Sequence, residues 1–240
     1  MIDVNNTTCS PKSDQEFAGR CTFMASVYGW MTIGLLCTAL AALIVSSSDV
    51  LFRHLFKTNA FWMLLILWFA FGLGFRYVLR MTPVPVAIGM FVVYSALTGT
   101  AFAPIIVIFT GASVVTAFFI AAGMFAGVSA FSYITKRDFV SVALFSVMGI
   151  WGLILAILVN LLLGSGPMDW VIAIAGIGIF TGLAAYETQK LKQASAADNS
   201  VTYRKIVLLG AFDLYLSFIN LFLYFFRLLG KKRAPASEKE

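Results

Sequence analysis

Seven apolar stretches, each long enough to cross a lipid bilayer, follow one another along the chain. They cover residues 24–45, 60–79, 84–107, 112–133, 139–163, 169–191 and 205–229. A transmembrane helix needs about 20 apolar residues, whereas a membrane barrel strand has only about 9–11 residues of alternating polarity. The fold is therefore predicted to be an all-α integral membrane protein, a seven-transmembrane-helix bundle.

The rest of the chain leaves no room for a second domain. Of its 240 residues, 60% are hydrophobic and 12% are charged, against about 25% charged in a soluble domain. The connections between spans are short, so residues 24–230 are predicted to form one transmembrane domain. A polar N-terminal segment (1–23) and a polar C-terminal tail (231–240) flank it. The former lacks the basic start and apolar core of a cleaved signal, so the first span is expected to insert uncleaved.

Several classes of function do not suit this composition. The net charge of +6 comes from loop and tail residues rather than from one basic face, so no nucleic-acid partner is expected. Three cysteines without CxxC spacing and a single histidine predict neither a disulfide framework nor a zinc site, and no cofactor is expected. Without a nucleophile elbow, an HExxH motif or a P-loop, the chain is predicted not to be an enzyme.

The orientation follows from the basic residues, which concentrate in cytoplasmic loops. The loops after spans two, four and six hold eight of them, and the loops after spans one, three and five hold two. The eight are Arg76, Arg80, Lys136, Arg137, Lys190, Lys192, Arg204 and Lys205, and the two are Arg53 and Lys57. The N-terminus is therefore predicted to be cytoplasmic.

The basic residues after the last span conflict with this orientation. A seventh crossing puts Lys231, Lys232 and Arg233 outside, whereas a re-entrant last helix keeps them in the cytoplasm. We favour crossing, because residues 205–229 are long enough to span the membrane.

Two acidic residues, Glu187 and Asp213, lie inside the last two spans. A carboxylate at the bilayer centre costs about 2.5–3.5 kcal/mol on insertion scales, and such residues usually face a bundle interior and mark an ion or proton path. Glu187 lies about 7 Å before the end of span six, and Asp213 lies about 12 Å after the start of span seven. The two spans are antiparallel, so the acids are expected at similar depth.

Two adjacent carboxylates in a low dielectric cannot both ionise cheaply, so they are expected to share a proton and titrate as a pair. Carboxylate oxygens also suit calcium, which takes about six to eight hard oxygen ligands. Glu187 and Asp213 are thus predicted to hold a calcium ion transiently. Ser217, Asn220 and Tyr215 are candidates for a supporting polar lining.

A purely structural role stays open for Glu187, whose side chain could extend to the membrane interface and pair with Lys190 or Lys192. It fits Asp213 poorly, because a short side chain deeper in its helix cannot reach as far.

Small residues at Gly123/Gly127 and Gly178/Gly182 suggest close helix contacts within one chain, and Pro104 is expected to kink or end span three.

Four segments carry a resemblance to a known family. They are VYSALTGTAFAPI (93–105), FSYITKRDF (131–139), AAYETQKLK (184–192) and LYLSFINLFLYFFRLLG (214–230). In order and spacing, from about Tyr28 to Gly230, the chain resembles the Bax inhibitor-1 family, which consists of small seven-helix membrane proteins of bacteria and eukaryotic endomembranes.

The resemblance implies a role for the acids. Family members carry one aspartate in helix six and another in helix seven, and the pair is thought to switch a calcium leak with pH. Glu187 matches the first position, whereas Ser217 occupies the second. Asp213 lies four residues earlier, one turn or ~6 Å away on the same helical face, and we expect it to replace the missing aspartate. The family is also described as having an arginine latch on the first carboxylate, and Arg76 is the best candidate for it here. A plain positive-inside anchor is the alternative role for this arginine.

The predicted function is therefore a pH-sensitive cation leak channel, with calcium as the transported ion, in a bacterial inner membrane. The resemblance also implies an alternative, a regulatory protein that binds a membrane-bound AAA protease or stress and cell-death machinery through its polar N-terminus. The bilayer and cations are the expected partners, and a monomer is favoured.

Overall fold

The computed structural model describes an all-helical chain. It describes residues 11–57, 60–135, 137–194 and 200–231. Eight helices occur there: α1 (Pro11–Ser47), α2 (Asp49–Lys57), α3 (Ala60–Met81), α4 (Val84–Ile108), α5 (Gly111–Ile134), α6 (Val140–Leu163), α7 (Gly166–Ala194) and α8 (Ser200–Leu229). All but α2 are long and apolar enough to cross a membrane, so the predicted seven-helix fold is confirmed.

Some sequence expectations fall on residues that the structure does not describe. They concern residues 1–10 of the N-terminal segment, Lys136 and residues 232–240, together with the side chains of Lys57 and Arg80.

The helix boundaries differ from the predicted spans at the N-terminus. Helix α1 begins at Pro11 rather than at residue 24, because hydropathy marks the part of a helix that lies in lipid and not where the helix itself begins. The short helix α2 was missed. Its apolar residues Phe52, Leu55 and Phe56 lie inward while Arg53 and His54 are exposed, and nine residues of such mixed polarity do not register as a span.

Helix α8 is the centre of the bundle. In its most apolar stretch, 72% of the residues are buried, against between 11% and 33% in the other spans. It packs against α1, α3, α4, α5 and α7, whereas α6 packs on α7. Asp213 and Ser217, in the middle of this helix, are therefore buried within the protein.

The two ends of α8 lie at opposite ends of the bundle. Arg227 in its last turn pairs with Asp169 at the start of α7, and the backbone of Lys231 accepts a hydrogen bond from Thr110 before α5. Asp213 in its first half instead contacts α3 near that helix's C-terminal end. The helix therefore runs the length of the bundle, which favours the crossing interpretation over the re-entrant one.

The predicted glycine contacts occur at only one of the four positions. A Cβ atom at Gly123, Gly127 or Gly178 would meet no neighbouring atom within 4 Å, whereas one at Gly182 would lie 2.8 Å from Val142. Helix α4 also continues past Pro104 to Ile108, so this proline does not end the helix at its own position.

Among the described glycines, Gly99 of α4 has the tightest surroundings. A Cβ atom there would lie 2.1 Å from the backbone oxygen of Thr38 and 2.8 Å from Cβ of Ala41, both on α1. The absence of a side chain at Gly99 thus sets the spacing between α1 and α4.

We expect Gly99→Ala to lower the unfolding temperature of the detergent-solubilised protein, because overpacking of a tight contact costs about 1–3 kcal/mol. Gly89→Ala on the same helix is the matched control, since a Cβ atom at Gly89 meets nothing within 4 Å. Equal unfolding temperatures for the two variants would contradict this packing.

Candidate functional site

The two acids lie inside the bundle on neighbouring helices. Glu187 of α7 is 8% exposed and Asp213 of α8 is 7% exposed. They lie close enough for their charges to interact. Burial of both side chains leaves neither carboxylate in contact with bulk water, so each must find its polar partners within the protein.

Glu187 is bound by the residue at which the family's second aspartate is missing. The Ser217 hydroxyl donates a hydrogen bond to Oε2 of Glu187 at 2.6 Å, and Ser217 is itself buried. Position 217 is therefore in direct contact with the first acid, and here it supplies a neutral donor.

Asp213 is bound by an arginine from another helix. Nη2 of Arg76 lies 2.7 Å from Oδ1 of Asp213, and 55% of the arginine side chain is exposed, against 9% of the aspartate side chain. Such a charge-assisted hydrogen bond is stronger than a neutral one. The resemblance implied a latch on the first carboxylate, whereas the structure places Arg76 on the second.

An aromatic pair lies directly beside this ion pair. Phe75 precedes Arg76 and Phe212 precedes Asp213, and their rings stack with centroids 4.0 Å apart. Both rings are 1% exposed. Tyr94 of α4 packs edge-on against Phe212. Helices α3 and α8 thus meet through two adjacent contacts, one ionic and one aromatic.

Helix α3 is held less tightly than the other spans. Only 11% of its most apolar stretch is buried. Besides its contact with α8, it packs against α2 and α4, and the indole of Trp68 donates to the Thr98 hydroxyl of α4 at 2.9 Å. Of the spans that touch the acid pair, α3 is the least buried.

Lysines near the end of α7 do not hold Glu187 at the interface. The Lys192 ammonium donates to the backbone oxygen of Tyr133 and lies 5.0 Å above the ring of that residue. Lys190 is exposed, and its charge acts on both acids. Since Glu187 is buried and bound by Ser217, its simple extension to the membrane surface is excluded.

The other two residues of the expected lining lie elsewhere. The hydroxyl of Tyr215 is 2.7 Å from that of Thr38 on α1, which in turn donates to the backbone of Ser95 on α4. Asn220 donates to Leu216 of its own helix and lines a cavity near Arg227. Neither residue is brought to Glu187.

Several neighbours of the acids were not predicted from the sequence. The Gln189 side chain donates to the backbone oxygen of Arg137 and accepts from the amide of Phe139 at 3.0 Å, so it ties α7 to the α5–α6 connection. The Thr188 hydroxyl donates to Ser129 of α5. These residues could have been found from their positions in the sequence. Thr188 and Gln189 directly follow Glu187, and Phe75 and Phe212 directly precede the two members of the ion pair.

The oxygen atoms at this site are too few to complete the coordination shell of a calcium ion. Among the described residues, no group of three or more His, Cys, Asp or Glu side chains could hold a metal ion. Two carboxylates and the Ser217 hydroxyl offer fewer oxygens than the about six to eight that calcium takes. Transient coordination of a calcium ion by Glu187 and Asp213 stays a prediction.

Comparison with known proteins places the chain among bacterial membrane proteins. The family model described as "Inhibitor of apoptosis-promoting Bax1" matches residues 20–234. Inner membrane protein YbhL of Escherichia coli is 40% identical over 231 residues, which cover 93% of this chain and 98% of that protein. An uncharacterized protein of Borreliella burgdorferi is 36% identical over 237 residues, covering 97% and 99%. The uncharacterized protein RP147 of Rickettsia prowazekii is also 36% identical, over 241 residues, covering 97% and 100%.

A double-mutant cycle of Arg76→Gln and Asp213→Asn measures the ion pair. We expect a coupling of about 1–2 kcal/mol in the free energy of unfolding, below that of a fully buried pair because the arginine is half exposed. The coupling exists while Asp213 is ionised, so it should be present at alkaline pH and disappear as acid protonates this carboxylate.

The matched control is the second ion pair between charged side chains, Asp169 with Arg227. Both of its side chains are substantially exposed, at 47% and 32%, and its coupling should be below about 1 kcal/mol. A coupling free energy between Arg76 and Asp213 that is no larger than that between Asp169 and Arg227 would contradict the assigned latch.

Proposed function

Because the chain belongs to the Bax inhibitor-1 family of membrane proteins, we propose that it is a pH-sensitive cation leak channel that conducts calcium and is gated by Glu187 and Asp213. The observation that supports the proposal most is the ion pair between Asp213 of the central helix α8 and Arg76 of the loosely packed helix α3. This bond joins the centre of the bundle to a helix that has few other contacts with it.

The direction of the pH effect follows from the charges. Arg76 is held while Asp213 is negative, and protonation of that carboxylate removes the attraction. The half-exposed guanidinium can then turn towards water and lipid headgroups at the end of α3. The pair is therefore the closed state, present at alkaline pH, and acid opens the channel.

The stacked rings beside the ion pair would form the barrier to ions. Phe75 and Phe212 are both fully buried and are joined to the latch through the backbone of their own helices. Hydrophobic constrictions of this kind can close a pore by excluding water. When Arg76 leaves Asp213, outward movement of α3 would separate the rings and admit water to the α3–α8 contact.

Glu187 would keep the opened site attractive to cations. The charges that act on it are those of Asp213, Arg76 and Lys190, and Ser217 donates to it. Once Arg76 has left Asp213, neither carboxyl group is bound to a cation from the part of the chain that the structure describes. A calcium ion could then use Glu187 as a temporary ligand while it passes.

Calcium flux into liposomes tests the proposal across mildly alkaline to mildly acidic pH. For the wild-type protein, flux should increase as pH falls. Asp213→Asn should conduct about tenfold faster than wild type at alkaline pH and lose most of its pH dependence, because the loss of a charge-assisted bond shifts a closed–open equilibrium by at least that factor. Glu187→Gln should conduct less at every pH.

The control is Asp138→Asn, since Asp138 lies exposed before α6, where it accepts a hydrogen bond from Val140, away from both acids. This variant should follow the wild-type pH profile. Unchanged pH dependence in both Glu187→Gln and Asp213→Asn would exclude the proposed gate.

The alternative function stays a prediction. A regulatory protein that binds a membrane protease through its N-terminus depends on a segment whose residues 1–10 lie outside the described structure. Chemical cross-linking in native membranes distinguishes the two roles, because only this one requires a stable protein partner.

A further inference from the structure

A cavity of about 280 Å³ lies between three helices that begin at the same end of the bundle. Ser26 and Trp30 line it from α1, Ile88 from α4, and Arg204 and Leu208 from α8. We name this cavity the α1–α4–α8 slot. It shares no residue with the acid pair, and Arg204 lies nine residues, ~13 Å along α8, from Asp213.

The slot has a polar rim and an apolar floor. Ser26 and Arg204 each lie one helical turn, ~6 Å, nearer the end of the bundle than Trp30 and Leu208 on their helices. The Arg204 side chain is exposed, whereas Leu208 is buried. The same step of one turn separates Val84, the first residue of α4, from Ile88. Polarity thus decreases along α1 and α8 away from this end of the bundle, while α4 lines the slot with apolar residues at both levels.

The rim carries positive charge that no described acidic side chain neutralises. Arg204 forms no ion pair with any residue that the structure describes. The arginines that form ion pairs in that part of the chain are Arg76 and Arg227. None of the lining residues is acidic. Tyr203, next to Arg204, adds an aromatic hydroxyl to the lining of the slot.

We propose that the α1–α4–α8 slot binds an anionic phospholipid. The headgroup phosphate contacts the Arg204 guanidinium at the rim, where a charge-assisted hydrogen bond forms. The upper part of one acyl chain lies on the floor, against Trp30, Ile88 and Leu208. Basic pockets between transmembrane helices at the membrane surface suit such headgroups. A free phosphate ion would use only the rim and leave the apolar floor uncovered.

Native mass spectrometry of the full-length protein, released from detergent with added lipid, tests this site. Phosphatidylglycerol should be retained in preference to phosphatidylcholine, which carries no net charge. Arg204→Gln should lower the retention of phosphatidylglycerol about fivefold, the effect expected from one basic residue at an anionic surface. Arg53→Gln, which removes an exposed basic residue on α2, is the matched control and should retain the lipid as wild type does.

A second variant tests the floor without a change in charge. Ile88→Trp fills the slot at a half-buried position and should also lower retention, while Arg204 is left intact. Equal retention of the two lipids would overturn the proposal, as would an equal loss in Arg53→Gln and Arg204→Gln. Displacement of the lipid by inorganic phosphate, or full retention in Ile88→Trp, would show that the floor contributes nothing and would also overturn it.

Discussion

Two carboxylates buried in a membrane-spanning bundle must be satisfied by the protein itself, and much of this structure follows from that constraint. Asp213 takes the Arg76 guanidinium from α3 and Glu187 takes the Ser217 hydroxyl from α8. Helix α8 lies at the centre of the bundle because its acid and its serine have to be enclosed. The apolar helices around it separate both acids from lipid.

The ion pair joins helices with very different packing. Helix α8 is enclosed by five others, whereas α3 reaches it mainly through Arg76 and the stacked ring of Phe75. A proton on Asp213 therefore acts on the contact with the least support from its surroundings. The Gln189 and Thr188 contacts instead fix α7 to α5 and its following connection, so the Glu187 side of the site is held independently of α3.

Hydropathy was enough to predict the seven spans, because each is long and apolar whatever its neighbours are. It could not reveal α2, because this helix has only nine residues of mixed polarity. It also could not reveal where α1 begins, because the first residues of that helix are polar. The depth of Glu187 and Asp213 also followed from the sequence, since it depends only on the rise per residue and on antiparallel neighbours.

The partners of the acids depend on which helix faces which, and one sequence does not specify this. Tyr215 lies two residues from Asp213, about 200° around the helix, so it faces α1 and Thr38. Asn220 shares the face of Asp213 but lies about 10 Å further along α8, near Arg227. The change of family aspartate to Ser217 indicated an altered site, but only the packing of α3 showed that Arg76 binds Asp213.

Structures of the protein in lipid at two pH values, one on each side of the transition in calcium flux, test the gate most directly. At alkaline pH, Nη2 of Arg76 should lie at hydrogen-bond distance from Oδ1 of Asp213, as at 2.7 Å here. At acidic pH the two atoms should be separated, and the rings of Phe75 and Phe212 should no longer stack. An intact ion pair and ring stack at an acidic pH where calcium flux is high would contradict the account.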